Sequence, residues 1–292
     1  MNTIKAGQII FDSAPEIITE TTSDFKVSVK LDFLNKRLKV LNYKTRNYTR
    51  LTNFLSQIAA QNNLEKIIII AREKDWSMFV KKGFSLEAFN PYHFKGRPGY
   101  YLAGFLTVKR RKSSQVAKKD EIVRIASAKG KYKSERLKKN FSLRPAKKED
   151  IPELINLYRN VFASYPTPIY EREYLAKAMA NDTFFMLVSD RGGKVVSAAS
   201  AEMDRENLCA EVTDCATLPE FRGNKLMYYL IKEIEKEMKK RNLISLYTIA
   251  RAISPGINTA FSRNNYKYFG RFIKNCHICG NLEDMNLWVK KI

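Results

Sequence analysis

Apolar positions along this chain switch repeatedly between a spacing of two and a spacing of three to four. In the first hundred residues, Leu51, Phe54, Leu55, Ile58 and Ala59 fall on one stripe of a helix over residues 50–61. Residues 66–71 form a β-branched run suited to a strand covered on both faces, and 9–11, 26–31 and 37–41 read as further strands. A short helix over 76–82 should end at Gly83. Asn90-Pro91 and Arg97-Pro98-Gly99 then punctuate a loop before a strand over 100–108.

The second half opens with a strand at 141–146 and a helix at 148–162 carrying Ile151, Leu154, Ile155, Leu157 and Tyr158. A helix at 172–179 follows. Strands at 184–189 and 195–203 flank Arg191-Gly192-Gly193-Lys194, a hairpin signal, and a strand at 208–216 continues the meander. A long helix starts near Leu226; after it come a strand at 244–250, a short helix at 258–264, and strands at 268–278 and 283–290 joined at Gly280-Asn281. The order β-α-α-β-β-β-α-β-α-β-β is an α+β arrangement around a mixed sheet. One repeat crosses the halves: Asn63-Leu64 with Ala71-Arg72 matches Asn242-Leu243 with Ala250-Arg251 at a constant offset, and 79–84 matches 261–266 after a small insertion.

Composition narrows the class. With 292 residues and 45% apolar content the chain can fill two cores, and its purely apolar runs, such as 67–71, are far below the roughly 20 residues of a membrane span. The N-terminal residues show no basic region followed by an apolar core, so neither a secretion signal nor an anchor is expected, and the expected location is cytoplasmic. Four cysteines do not make a disulfide scaffold. Cys276-His277-Ile278-Cys279 lies on a strand, where side chains three apart face opposite ways, and lacks a second ligand pair, so packing is the expected role and no metal is expected.

The net charge of +22 raises nucleic acid as a partner. Between Lys109 and Asn140, however, 13 Lys or Arg stand against 3 Asp or Glu, so the charge concentrates in one segment. A solvated connector explains that better than a phosphate-binding face, and it divides the chain into 1–108, a basic linker at 109–140, and 141–292.

The candidate chemistry lies at Cys209 to Lys240. A strand, the exit Thr217-Leu218-Pro219-Glu220, the loop Phe221-Arg222-Gly223-Asn224-Lys225 and a helix aim backbone N–H groups and a positive helix end at one point, which suits a pyrophosphate. The element order from Phe141 to Ile292, with Thr217-Leu218-Pro219-Glu220-Phe221-Arg222-Gly223, resembles the GNAT N-acetyltransferase superfamily. Ala201-Glu202-Met203, Glu211-Val212-Thr213-Asp214, Tyr165-Pro166-Thr167-Pro168-Ile169, Ala250-Arg251-Ala252 and Met285-Asn286-Leu287-Trp288 resemble, more narrowly, the β-lysine N6-acetyltransferase family. The N-terminal part then looks like a smaller α/β domain, a degenerate half-GNAT copy without the basic loop.

The resemblance implies acetyl-CoA in a cleft between the strand at 211–216 and that at 244–250. Its pyrophosphate would rest on Arg222, Gly223, Asn224, Lys225, Leu226 and Met227. Its pantetheine would pair with the backbone near Cys215, Ala216 and Leu218, and Asn258 and Phe261 join the expected cofactor residues. Lys225 and Met227 stand where the superfamily carries a glycine and a glycine or alanine, so their side chains would crowd the phosphates unless Lys225 adds a cation. An alkyl ammonium, with an ordinary pKa of about 10.4, must lose a proton before attacking a thioester. Asp214 and Glu211 are the candidate catalytic carboxylates. Being three apart, they should face opposite ways, with Asp214 favoured as base and Glu211 and Glu202 as holders of an ammonium. A backbone N–H near Ala216, where the strand should bulge, would meet the oxyanion. The superfamily's usual tyrosine acid is Phe261 here, which leaves Tyr266 or a water to assist.

For a diamino acid, Arg251 would take the carboxylate, with Tyr165 and Asn286 completing the polar walls. The leading expectation is acetyl-CoA-dependent acetylation of the side-chain amine of β-lysine, a compatible-solute step downstream of a lysine 2,3-aminomutase. Against it stand acetylation of a polyamine, a protein lysine or an antibiotic amine, and a pseudo-enzyme binding RNA or protein through the basic segment.

Overall fold

The computed structural model describes residues 16–130, 132 and 136–292, so the strand expected at 9–11 lies outside the described residues. In the first half, β1 (Ile17–Thr21), β2 (Phe25–Asp32), β3 (Arg37–Thr45), α1 (Tyr48–Gln61), β4 (Lys66–Arg72), α2 (Trp76–Val80), β5 (Ser85–Phe94) and β6 (Arg97–Phe105) follow one another. The basic segment carries α3 (Val108–Arg111) and α4 (Val116–Ala128). The second half comprises β7 (Phe141–Pro145), α5 (Ile151–Val161), α6 (Arg172–Ala180), β8 (Thr183–Asp190), β9 (Val195–Asp204), β10 (Cys209–Thr217), α7 (Leu226–Lys240), β11 (Ser245–Arg251), α8 (Pro255–Arg263), β12 (Lys267–Ile278) and β13 (Asn281–Lys291). This is the mixed α+β order read from the sequence.

All the strands join one sheet in the order β1-β2-β3-β4-β6-β5-β12-β13-β11-β10-β9-β8-β7. Among the described residues each half has a single parallel pair, β3 with β4 and β10 with β11, and each pair is bridged by a long helix. α1 starts at Asn47, whose side chain accepts from Arg50 N at 3.1 Å, a cap contributing about 1 kcal/mol. Leu51, Leu55 and Ala59 then bury one stripe against β2, β3 and β4. α7 does the same with Leu226, Leu230, Ile231, Ile234 and Met238. Each buried leucine stabilises the fold by roughly 1.5–3 kcal/mol.

The sequence repeat has structural counterparts. Both long helices end in a left-handed asparagine, Asn63 at φ 54° and Asn242 at φ 62°. The next residue's N–H returns to the helix, from Leu64 to Ala59 O at 2.8 Å and from Leu243 to Met238 O at 3.1 Å. Phe79 meets Phe84 edge-on at 5.8 Å, and Phe261 meets Tyr266 edge-on at 5.0 Å.

Residues 85–94, read as loop, form β5 instead. Pro91 has no N–H to give a ladder, but the β5–β6 register shifts between Asn90 and Phe94, so none is required there. Lys95 at φ 52° and Gly96 at φ 83° turn the hairpin. β5 and β12 pair where Gly270 opposes Ala88; a Cβ on Gly270 would come within 2.4 Å of Glu87 O, so only glycine fits this junction of the halves.

Each central hairpin reaches into the opposite half. Lys95 N donates to Asn207 O at 2.8 Å beside the β9–β10 turn, and Ser245 Oγ donates to Tyr92 O at 3.1 Å. In the other direction His277 N donates to Asn35 Oδ1 at 2.6 Å and Arg37 Nη1 to Asn275 O at 2.7 Å. The basic segment packs as well: Lys119 pairs with buried Asp284 at 2.7 Å, and Ser262 Oγ donates to Ala126 O at 2.7 Å. Among the described residues, no helix is long and apolar enough to cross a membrane.

Candidate active site

β10 and β11 pair in parallel from Cys209 with Ser245 to Glu211 with Tyr247, and the pairing then stops. Beyond it β10 bulges: its register on β9 shifts between Thr213 and Ala216, and Asp214 sits at φ 49°. The strands splay, and a cleft of about 740 Å³ opens there. Strand splay exposes β10 backbone groups that β11 would otherwise take.

Asp214, Cys215, Tyr165 and Arg251 line this cleft, as do Arg222, Gly223, Lys225, Leu226 and Met227. Gly223 adopts φ 82°, a left-handed turn conformation that favours glycine, with open space around it. Lys225 takes φ 60° as the residue entering α7, the conformation glycine would adopt freely. Its ammonium lies 4.9 Å from the Tyr132 ring, and Arg263 covers that ring at 4.0 Å. Met227 is half-buried against the core, so its side chain does not all point into the cleft.

The bulge reorients Asp214. Its carboxylate is buried, accepts from Ser200 Oγ at 2.6 Å, and is hydrogen-bonded by Tyr165. Burial pushes its pKa up, and the two hydroxyls pull it partly back. Glu202 and Glu211 are register partners on β9 and β10. Desolvation, then the charge of Asp214, pushes Glu202 up to about 7, while desolvation and Glu202 push Glu211 up to about 8. Charge repulsion among the three acids thus adds to these rises, but of the three Asp214 alone lines the cleft; Glu202 is exposed and Glu211 half-buried outside it. Strict alternation would set Glu211 and Asp214 on opposite faces; the bulge breaks that alternation.

Several expected residues do other work. Asn286 is not a wall of the cleft. It is fully buried and donates to Asn258 Oδ1 at 2.9 Å, beside Trp288 Nε1 at 2.8 Å. Asn258 is buried too, and its amide donates to Arg251 O and Ser254 O, tying α8 to β11 and β13 rather than facing a cofactor. Phe261, Leu218 and Ala216 have buried side chains in the core; Ala216 O accepts from Ser197 Oγ. Tyr266 is buried against Phe261 and lies outside the cleft lining, which removes it as an acid. Asn224 braces the loop through Phe221 O and Lys138. Arg251 shares its guanidinium with Glu283 at 3.4 Å and Cys279 Sγ at 3.2 Å.

Sequence reasoning missed Lys129 and Tyr132 of the basic segment and Ile278 and Met285 of the β12–β13 hairpin, which also line the cleft. The only local signal was an aromatic residue inside a basic run.

Residues 142–261 match the family described as "Acetyltransferase (GNAT) domain". N-acetyltransferase YodP of Bacillus subtilis (strain 168) is 34% identical over 266 residues, covering 89% of this chain and 94% of that protein. The chain belongs to the GNAT acetyltransferase family. A β-lysine N(6)-acetyltransferase of Methanococcus maripaludis is 30% identical over 90% of this chain and 95% of its own length. That of Methanosarcina mazei is 39% identical over 64% of this chain and 66% of its own length. GNAT enzymes use acetyl-CoA as cosubstrate, and this chain is accordingly an acetyltransferase acting on an amine. The exposed edge of β10, the left-handed Gly223 and the N-terminus of α7 are the groups such a donor requires, so the residues present fit it.

Proposed function

We propose that the acceptor is a small diamino acid, most simply β-lysine, acetylated on its side-chain amine to give a compatible solute. A lysine 2,3-aminomutase would supply the acceptor. The observation that carries this reading is Asp214 in the cleft lining, with the facing pair Glu211 and Glu202 on the same two strands β10 and β9, a set of acids suited to an acceptor with more than one amine. The names of the Methanosarcina mazei and Methanococcus maripaludis relatives support the same choice. In this reading residues 141–292 form the catalytic GNAT unit, 109–140 a basic connector and 1–108 a degenerate half-GNAT copy.

Acetyl-CoA supplies an activated acyl group. Asp214 accepts the amine proton, held in place by Ser200 and Tyr165, while Glu202 and Glu211 hold the second ammonium. The backbone of the bulge at Cys215 and Ala216 would present an N–H to the reacting carbonyl. Arg222, Gly223 and the start of α7 would receive the pyrophosphate. The amine nitrogen forms the new C–N bond as the C–S bond breaks, and the sulfur leaves with a proton.

The test is release of free CoA thiol from acetyl-CoA with β-lysine, lysine, spermidine and a lysine peptide. Highest kcat/KM on β-lysine supports the reading, and preference for spermidine or the peptide overturns it.

A further inference from the structure

The basic segment is fastened to both helices that flank the cleft. Near the end of α4, Ala126 is buried in the core of the second half, and its carbonyl accepts from Ser262 Oγ of α8 at 2.7 Å. Further along, Tyr229 of α7 donates its hydroxyl to Arg136 O at 3.2 Å, and Lys138 Nζ donates to Asn224 Oδ1 at 2.9 Å. Between these ties in the chain, Lys129 and Tyr132 line the cleft that also holds Asp214. A merely solvated connector would not place side chains there.

Arg263 completes a cluster with them. Gly256, Thr259 and Ala260 line the cleft, and Arg263 continues that stripe of α8 at the spacing of three and four residues that sets side chains on one helix face. Its guanidinium lies over the Tyr132 ring, 4.0 Å from the centroid, and that ring meets Tyr228, in the first turn of α7, edge-on at 4.9 Å. Such stacking uses the flat face of a guanidinium and leaves its in-plane N–H groups for an anion. Among the described residues those groups are untaken: the Arg263 side chain makes no hydrogen bond or ion pair, and its Nε is buried without a partner. The Lys129 ammonium has no such partner among them either. An unpaired cation and an aromatic ring thus meet beside the start of α7, with a second unpaired cation three residues away in the chain.

The donor carries a group suited to these cations. Its pyrophosphate separates the acetyl-pantetheine arm from an adenosine that bears a 3′-phosphate. With the pyrophosphate at Arg222, Gly223 and the start of α7, and the acetyl group at Asp214, the nucleotide end must leave the loop away from Asp214. Tyr132 meets the start of α7 through Tyr228 and Lys225. We propose that Arg263 and Lys129 receive the 3′-phosphate of the donor, with Tyr132 as a positioning residue that holds the guanidinium, so that the basic segment makes the enzyme selective for CoA bearing that phosphate. This rests on the pyrophosphate placement above and not on the choice of acceptor.

The experiment measures equilibrium binding of CoA and of 3′-dephospho-CoA to the full chain by calorimetry, with no acceptor present. Wild type should bind CoA roughly 10- to 100-fold more tightly, the range set by one or two charge-assisted hydrogen bonds. Arg263→Gln should erase most of that ratio by weakening CoA, while affinity for 3′-dephospho-CoA stays within about twofold, which also shows that the variant is folded. Lys129→Met should remove part of the ratio in the same way. Tyr132→Leu should lower it too, whereas Tyr132→Phe, which keeps the ring face, should preserve it. A wild type that binds both ligands alike overturns the inference, as does Arg263→Gln weakening both ligands equally or neither. Arg222→Met, at the pyrophosphate loop, should weaken both ligands alike. If it changes neither while Arg263→Gln still erases the ratio, the pyrophosphate placement falls and the 3′-phosphate site stands.

Discussion

Ser200 Oγ donates a 2.6 Å hydrogen bond to Asp214 Oδ2 at the point where β10 leaves β11. The bond fixes a carboxylate that a left-handed backbone, φ 49°, has turned out of the strand's alternation. Asp214→Asn should therefore lower kcat by about 10²–10⁴-fold, the usual weight of a positioned base, with KM for acetyl-CoA little changed. Ser200→Ala should act differently. The Ser200 bond pulls the Asp214 pKa down, so its loss lets that pKa rise, and the acid limb of the kcat/KM profile should move to higher pH. Weaker acetyl-CoA binding with unchanged kcat in Asp214→Asn would refute the base assignment.

Local pattern carried the helices well, because α7 and α1 each bury one apolar stripe that recurs every three to four residues. It failed at β5, where Pro91 reads as a break until the register shift opposite it is known. It failed again at Asp214, since nothing in Thr213-Asp214-Cys215 announces a bulge. The docking of the two halves was illegible for another reason: it depends on hairpins crossing between them, as where Arg37 Nη1 donates to Asn275 O, a contact between residues more than a hundred positions apart.

Protonation of the acid pair should tie stability to pH. Half-buried Glu211 is raised to about 8 from an ordinary 4.5, and Glu202 to about 7, its share weakened by its exposure to solvent. The folded chain thus binds more protons than the unfolded chain between about pH 4.5 and 8, chiefly through Glu211. Their contribution to stability therefore falls as pH rises through that window. The melting temperature should drop between pH 6 and pH 8.5, and Glu211→Gln should flatten the drop. Below pH 7 the same groups are neutral and hold an ammonium poorly, so KM for the amine should rise on acidification. A flat melting profile in wild type would contradict both shifts.

His93 acts in the opposite sense. It is 4% exposed, and burial lowers its pKa to about 4 from 6.5. The unfolded chain binds the extra proton between those values, so stability is lost as pH falls from about 6.5 to 4, by about 3 kcal/mol at full effect. His93→Asn should remove most of that acid slope in urea titrations at pH 7 and pH 4.5. An unchanged slope would show that His93 is protonated in the fold.

Asn258 uses its whole hydrogen-bonding capacity, donating to Arg251 O and Ser254 O and accepting from Asn286 and Trp288. Asn258→Ala leaves these buried groups without partners, at roughly 1–3 kcal/mol for each that finds no replacement. A loss of about 3 kcal/mol or more in urea unfolding is expected, and a loss under about 1 kcal/mol would show that water replaces the side chain.

Lys225 offers a test of what a side chain costs at the family's glycine position. Its φ of 60° is left-handed, a conformation that costs a non-glycine residue about 1–2 kcal/mol. Lys225→Ala keeps that cost and removes the cation and its contact with Tyr132; Lys225→Gly removes the cost as well. The glycine variant should therefore be about 1 kcal/mol more stable than the alanine variant, the reverse of their order inside a helix. Both variants should show similarly raised KM for acetyl-CoA if the ammonium meets the pyrophosphate, and the increase should shrink at high salt. If KM instead falls in both, the lysine side chain obstructs the donor, and the basic loop works through Arg222 and the start of α7 alone.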